Sequence, residues 1–256
     1  MSKSKKQVLL TKESASAKLS KYSDGQYEGV ILYLAPADMV QGMNVCPAAT
    51  MGCKSACLNT AGRGRFTMVQ EARIKRTIFL RDHEEEFINQ LVSEIDKAKK
   101  RVEKKGKRLA VRLNGTSDVD WESLIRQYHP YFYEEREDIT FYEYTKRPDL
   151  AMRTGPVLYT FSRSESTPRW LLRTMLDAGV NVAVVFSQYK KGEQLPDMIA
   201  GYRVVDGDTH DYRFLDPQDG RIVALRAKGD AKGDGSGFVV SDVSELSQVI
   251  SHSRAG

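Results

Sequence analysis

Cysteine is scarce in these 256 residues. There are three, and Cys46, Cys53 and Cys57 all fall within one twelve-residue stretch. An odd number so closely spaced argues against a disulfide framework. Long apolar runs are missing too. No stretch approaches the roughly 20 residues a membrane helix needs, and the lysine- and serine-rich start, followed only by Val8, Leu9 and Leu10, lacks a signal-peptide core. The expectation is a soluble cytoplasmic protein with no membrane contact, in which thiols stay reduced. No G-x-S-x-G elbow is present and Ser162 has no evident partner in sequence, which disfavours a Ser/His/Asp hydrolase. No Pro/Gly/Ser linker divides the chain, so a single domain over 27–256 is expected behind a loose polar arm over 1–26.

What is present supports a globular core, with 41% hydrophobic residues, 29% charged and a net charge of +5. That charge permits weak attraction to anions. Apolar runs at 29–35, 109–113, 139–142, 157–161, 180–186, 202–205 and 222–225 read as about seven strands. Helical stretches separate most of them. Phe87, Leu91, Ile95, Ala98 and Val102 recur at helical spacing, and another helix has Thr167 at its N-cap, Trp170, Leu171 and Met175 inward, and Gly179 as its stop. Strand and helix in alternation imply an α/β fold with a parallel sheet. The count favours a parallel (β/α) barrel of the TIM type, whole or incomplete, over an open doubly wound sheet. The lysine-rich end of the first long helix, from Lys97 to Arg108, reads as a solvated face more readily than a nucleic-acid site, since no aromatics are interleaved.

In such folds the carboxyl ends of the strands open onto one face, where ligands bind. The loops expected there carry Asn114, Thr116, Ser117 and Asp118, then Tyr144 and Lys146, then Ser162, Gln188, and finally Asp206, Asp208 and Asp211. Asp118, Thr167 and Asp149 also sit where helix caps belong. Together with Lys228 these side chains are candidates for holding a small anionic or zwitterionic ligand, and Lys146, Asp208 and His210 are the candidates for catalytic roles. Asp206, Asp208, Asp211, Asp216 and Asp219 form a looser divalent-cation pattern.

Cys46-x6-Cys53-x3-Cys57 lies directly after the first strand, with Gly52 expected to relieve backbone strain there. Three thiolates suit a [4Fe-4S] cluster with one iron open, or a [3Fe-4S] cluster, better than zinc, which wants four protein ligands. Zinc completed by His210 or an Asp, and three merely packed cysteines, are the alternatives. A three-cysteine loop after the first strand of a (β/α) barrel resembles the radical S-adenosylmethionine enzymes, whose spacing is x3 then x2. That likeness implies S-adenosylmethionine as a ligand, with residues 114–118 in the place of the loop that helps hold it.

A closer resemblance is to the phage gene-product-88-like family. It is carried by Cys46-Pro47, Cys53, Cys57, residues 114–118, 144–146, 161–162 and 182–186, Asp206-Gly207-Asp208 with Asp211 and Arg213, and residues 225–229. The resemblance implies a phage origin and a shared pocket. The expected function is an iron-sulfur redox or radical-type enzyme, its open iron facing the pocket for S-adenosylmethionine, substrate or proton reduction. The alternative is a non-catalytic cluster or zinc protein that contacts nucleic acid or a host protein.

Overall fold

The computed structural model describes residues 7–15, 19 and 25–251. In chain order the elements are β1 (Leu10–Lys12), β2 (Tyr27–Leu32), α1 (Met51–Ser55), α2 (Thr67–Asp82), α3 (Glu84–Glu103), β3 (Arg108–Arg112), α4 (Trp121–Tyr128) and β4 (Thr140–Thr145). They continue with α5 (Pro148–Ala151), β5 (Val157–Ser162), α6 (Arg169–Asp177), β6 (Val182–Phe186), β7 (Met198–Ile199), β8 (Tyr202–Asp206), β9 (Ile222–Arg226) and α7 (Val243–Ser251). All seven strands expected from the apolar runs are present. β1 and β7 are additions, too short to register as runs.

The strands form one mostly parallel sheet in the order β1-β2-β3-β4-β5-β6-β9-β8-β7. From β2 to β6 each strand lies beside the next in sequence. The crossovers pack α2 to α6 on the sheet's main-core face, as right-handed connections, the rule for parallel strands, would. Strand alternation follows from this winding: Val30, Leu32, Leu109, Val111 and Phe141 join the helices in the main core, while Tyr27, Ile31, Ala110 and Tyr142 point the other way. The stripe Phe87, Leu91, Ile95, Ala98 and Val102 of α3 is buried throughout. Each large apolar member contributes about 1.5–3 kcal/mol.

The expected barrel is corrected to an open sheet. Closure requires the first and last parallel strands to pair, and both free edges are taken. β1 runs antiparallel along β2, with Leu10 opposite Leu32 and Lys12 opposite Val30. At the other end β8 pairs with β9, and β7 adds an antiparallel edge. β1 falls inside the stretch read as a loose arm. It is anchored there by Glu94, whose carboxylate accepts from the amides of Leu9 and Leu10 at 2.9–3.1 Å. The rest of that arm, residues 1–6, 16–18 and 20–24, lies outside the described residues.

The face away from the helices is covered by the turn after β8. Tyr212 and Phe214 pack on Tyr27 and Tyr142 with ring centroids 4.8–6.2 Å apart. No described helix is long and apolar enough to cross a membrane. Of the eight basic residues from Lys97 to Arg108 three form ion pairs, Arg101 and Lys105 with Glu28 and Lys99 with Asp138.

Candidate functional site

Because β2 to β6, β8 and β9 are parallel, their carboxyl ends share one edge, and the thiol loop leaves β2 there. Thr50 caps α1, its hydroxyl accepting from the Cys53 amide at 3.2 Å. Glu165, from the loop after β5, accepts from the Thr50 hydroxyl and the Gly52 amide, both at 2.8 Å. Gly52 therefore serves close approach, and the expected relief of backbone strain is not its role. A Cβ there would come within 2.8 Å of the Glu165 carboxylate and closer still to the Ser236 hydroxyl. Met51, Gly52, Ser55 and Ala56 of this loop line a cleft of about 340 Å³ with Asp230 and residues 233–236.

All three thiols are free and half-buried. Burial pushes the Cys46 thiol up to about 12, and the neighbouring Cys57, Asp118 and Cys53 push in the same direction against the Ala37 amide. Burial also raises Cys57, with Cys53 adding to it and the Asn59 amide, Lys146 and Arg73 opposing. The thiols are thus close enough to feel one another, within reach of two cations. Backbone amides point at two sulfurs: Ala37 donates to Cys46 Sγ at 3.2 Å and Asn59 to Cys57 Sγ at 3.4 Å.

The loop after β3 meets Cys46 directly, the thiol lying 3.6 Å from the Thr116 carbonyl. Its shape is set by Glu143 of β4, which accepts from the amides of Leu113 and Asn114 at 2.5 and 2.8 Å. Burial raises the Glu143 carboxyl to about 8 against the pull of Arg112 and those two amides. Asn114 Oδ1 then gathers Ser117, the Val119 amide and the Trp121 indole at 2.8–3.0 Å. Gly115 is required because a Cβ would lie 2.6 Å from the Leu32 carbonyl. Asp118 does not cap α4, a role taken by Asp120. It accepts instead from the Thr145 hydroxyl at 2.7 Å and the Lys146 amide at 2.9 Å. Lys146 Nζ reaches Ser162 Oγ at 3.0 Å and lies over the Phe238 ring. Residues 114–118 thus meet Cys46 through Thr116, and Lys146 and Ser162 through Asp118.

The other expected ligand groups are spent elsewhere. Asp206 binds Arg226 at 2.8 Å, and Asp208 holds Lys228 and the Arg226 amide. Asp211 binds Arg112, buried, at 2.9 Å, and Arg112 stacks on Tyr144. Asp216 lies 3.1 Å from Arg213 and Asp219 2.6 Å from Arg221. His210 Nδ1 is 3.0 Å from Arg213 Nη2. Gln188 accepts from the Val243 amide at the start of α7. The divalent-cation pattern among these aspartates is accordingly corrected: each carboxylate faces a cation of the protein itself. Sequence reasoning missed Glu143, Arg73 and Arg112, and named Arg213 only among the residues that carry the family resemblance. A charged residue inside an apolar strand run, as at Arg112 and Glu143, is the signal that could have found two of them.

Among the described residues no group of three or more His, Cys, Asp or Glu side chains is placed so as to hold a metal ion. The donor chemistry of the loop nevertheless suits an iron-sulfur group: three thiols, amide donors to two of them, and the cations of Arg73 and Lys146 beside Cys57.

A family model described as Gene product 88 matches residues 8–242. No curated protein and no solved structure matches the chain.

Proposed function

We propose, for a chain that belongs to the Gene product 88 family, that Cys46, Cys53 and Cys57 ligate a [4Fe-4S] cluster serving a redox or radical-type reaction on a small anionic or zwitterionic ligand. The observation that supports this is the gathering of three free thiols at the carboxyl edge, beside Arg73 and Lys146 and under backbone amides. When bound, the cluster supplies one-electron transfer and one iron without a protein thiolate.

The chain's own residues set the surroundings. Lys146, steadied by Ser162 and by the contact of its amide with Asp118, offers a cation to an anionic ligand group. The Thr116 carbonyl holds the Cys46 side of the loop, and Glu143 holds the loop that carries Thr116. Glu165 keeps α1, and with it Cys53, against the loop after β5. S-adenosylmethionine is one ligand whose carboxylate and amine would suit this polar edge.

Anaerobic purification with iron and sulfide analysis and electron paramagnetic resonance, with and without S-adenosylmethionine, tests the reading. Stoichiometric iron and sulfide are expected, with loss of the brown colour in Cys53→Ser. Zinc in place of iron, or unchanged iron in that variant, would refute the ligand assignment.

A further inference from the structure

Exposed apolar side chains gather around the thiol loop. Met51 is 84% exposed, Met68 79% and Phe66 59%, with Met39 at 49% and Leu58 at 41%. Their segments are tied together: the Asn59 amide group lies 3.6 Å from Met39 Sδ and 2.8 Å from the Gln70 side chain of α2. Scattered apolar residues on a surface need no explanation, whereas five at least 41% exposed within thirty residues of chain around one loop make it a candidate contact surface.

The loop's own charge is positive, while Asp38, Glu165 and Asp230 of neighbouring segments face it. Between Met51 and Met68 lie Lys54, Arg63 and Arg65 and no carboxylate. Residues 36–82 hold seven Lys and Arg against three Asp and Glu, a net +4 of the chain's +5. Lys54 reaches Asp38 at 3.0 Å and Arg65 comes within 3.9 Å of Asp230, both exposed pairs that a partner's carboxylates can replace at little cost.

We infer that this surface docks a small acidic electron-carrier protein, its apolar contact on the methionines and Phe66 and its carboxylates on Lys54, Arg63 and Arg65. The inference rests on the redox reading above. It brings the carrier beside Cys53 and Cys57, which stand next to Lys54 and Leu58 in the chain. The reduced carrier gives up one electron and is oxidised by one, the cluster is reduced by one, and no bond forms or breaks. Methionine adapts to a partner's shape, and the cations steer encounter. A second copy is disfavoured because a symmetric contact would bring like charges together. A nucleic acid is disfavoured because Phe66 is the one aromatic among the five side chains, where bases need stacking platforms.

The test is calorimetric titration of the full, anaerobically isolated chain with a small acidic [2Fe-2S] ferredoxin. Binding that weakens with salt is expected, as is a loss of about tenfold or more in affinity in Arg63→Glu/Arg65→Glu and in Met51→Glu/Phe66→Glu. All four positions are exposed, and unchanged circular dichroism would show that the variants fold. An affinity indifferent to these substitutions overturns the inference. So does a patch that proves to serve self-association or single-stranded DNA instead, read by light scattering and fluorescence anisotropy. Iron analysis separates the two proposals: salt-sensitive docking without iron keeps the surface and removes the cluster, while iron without such docking does the reverse.

Discussion

The turn after β8 and the loop after β2 leave the same edge of the sheet, and both are polar in sequence. In the first, Asp206, Asp208, Asp211, Asp216 and Asp219 face Arg226, Lys228, Arg112, Arg213 and Arg221 in turn. In the second, burial and neighbouring thiols raise Cys46 and Cys57, Asp118 adding to the rise at Cys46, and two cations, Arg73 and Lys146, stand near Cys57. Carboxylates in one region are neutralised by the fold itself. Thiols in the other meet backbone groups of the fold, Cys46 with Ala37 and Thr116 and Cys57 with Asn59. A polar loop is thus a poor marker of function until its charges are paired off, and what survives the pairing is the better guide.

The largest effect that would sharpen this contrast is expected from Asp211→Ala. It leaves the Arg112 guanidinium buried and uncompensated, at a cost of about 3–5 kcal/mol, read as a lowered midpoint in urea. Thiol alkylation rates in the folded variant should stay as in the wild type. A variant as stable as the wild type would show that the turn after β8 is not a structural ion-pair region.

A smaller, pH-dependent effect is expected from Glu143→Gln. The carboxyl is held at about 8 in the folded protein against an ordinary 4.5, so the folded state keeps its proton longer than the unfolded chain does. Its contribution to stability is full below about pH 4.5 and is lost as the pH rises through about 8. Melting temperatures of the wild type should fall across that window more steeply than those of Glu143→Gln. Equal slopes would dissociate Glu143 from the loop it is argued to hold.

The smallest effect is expected from Asp206→Asn. Its ion pair with Arg226 is about one-third exposed on the carboxylate side, and the change should cost less than about 1 kcal/mol. A loss comparable to that of Asp211→Ala would erase the distinction between exposed and buried pairs drawn within this turn.

Much of the fold was legible locally. The apolar runs marked seven strands because a strand covered on one face by helices and on the other by a turn carries little polar alternation. The helical stripe of α3 was legible for the complementary reason, one buried face at a spacing of three and four. Details of α6 were not. Its cap position is Pro168, Thr167 turning its hydroxyl to the Ser164 amide, and its buried residues are Leu172, Met175 and Leu176. Trp170, two residues before Leu172, falls about 200° round the helix from it and is exposed. Gly179, with φ +84°, ends the helix as read.

By itself the sequence determined the seven longer strands, their parallel pairing and the address of the thiols after the first of them. These depend on neighbours in the chain: periodicity, turn residues, and cysteines a few positions apart. Only the tertiary structure decided that the sheet stays open and which polar residues are free to act. Strand β1 must reach the edge of β2, and Arg112 must meet Asp211 across 99 residues. Such pairings follow from where whole elements pack, and no local pattern carries them.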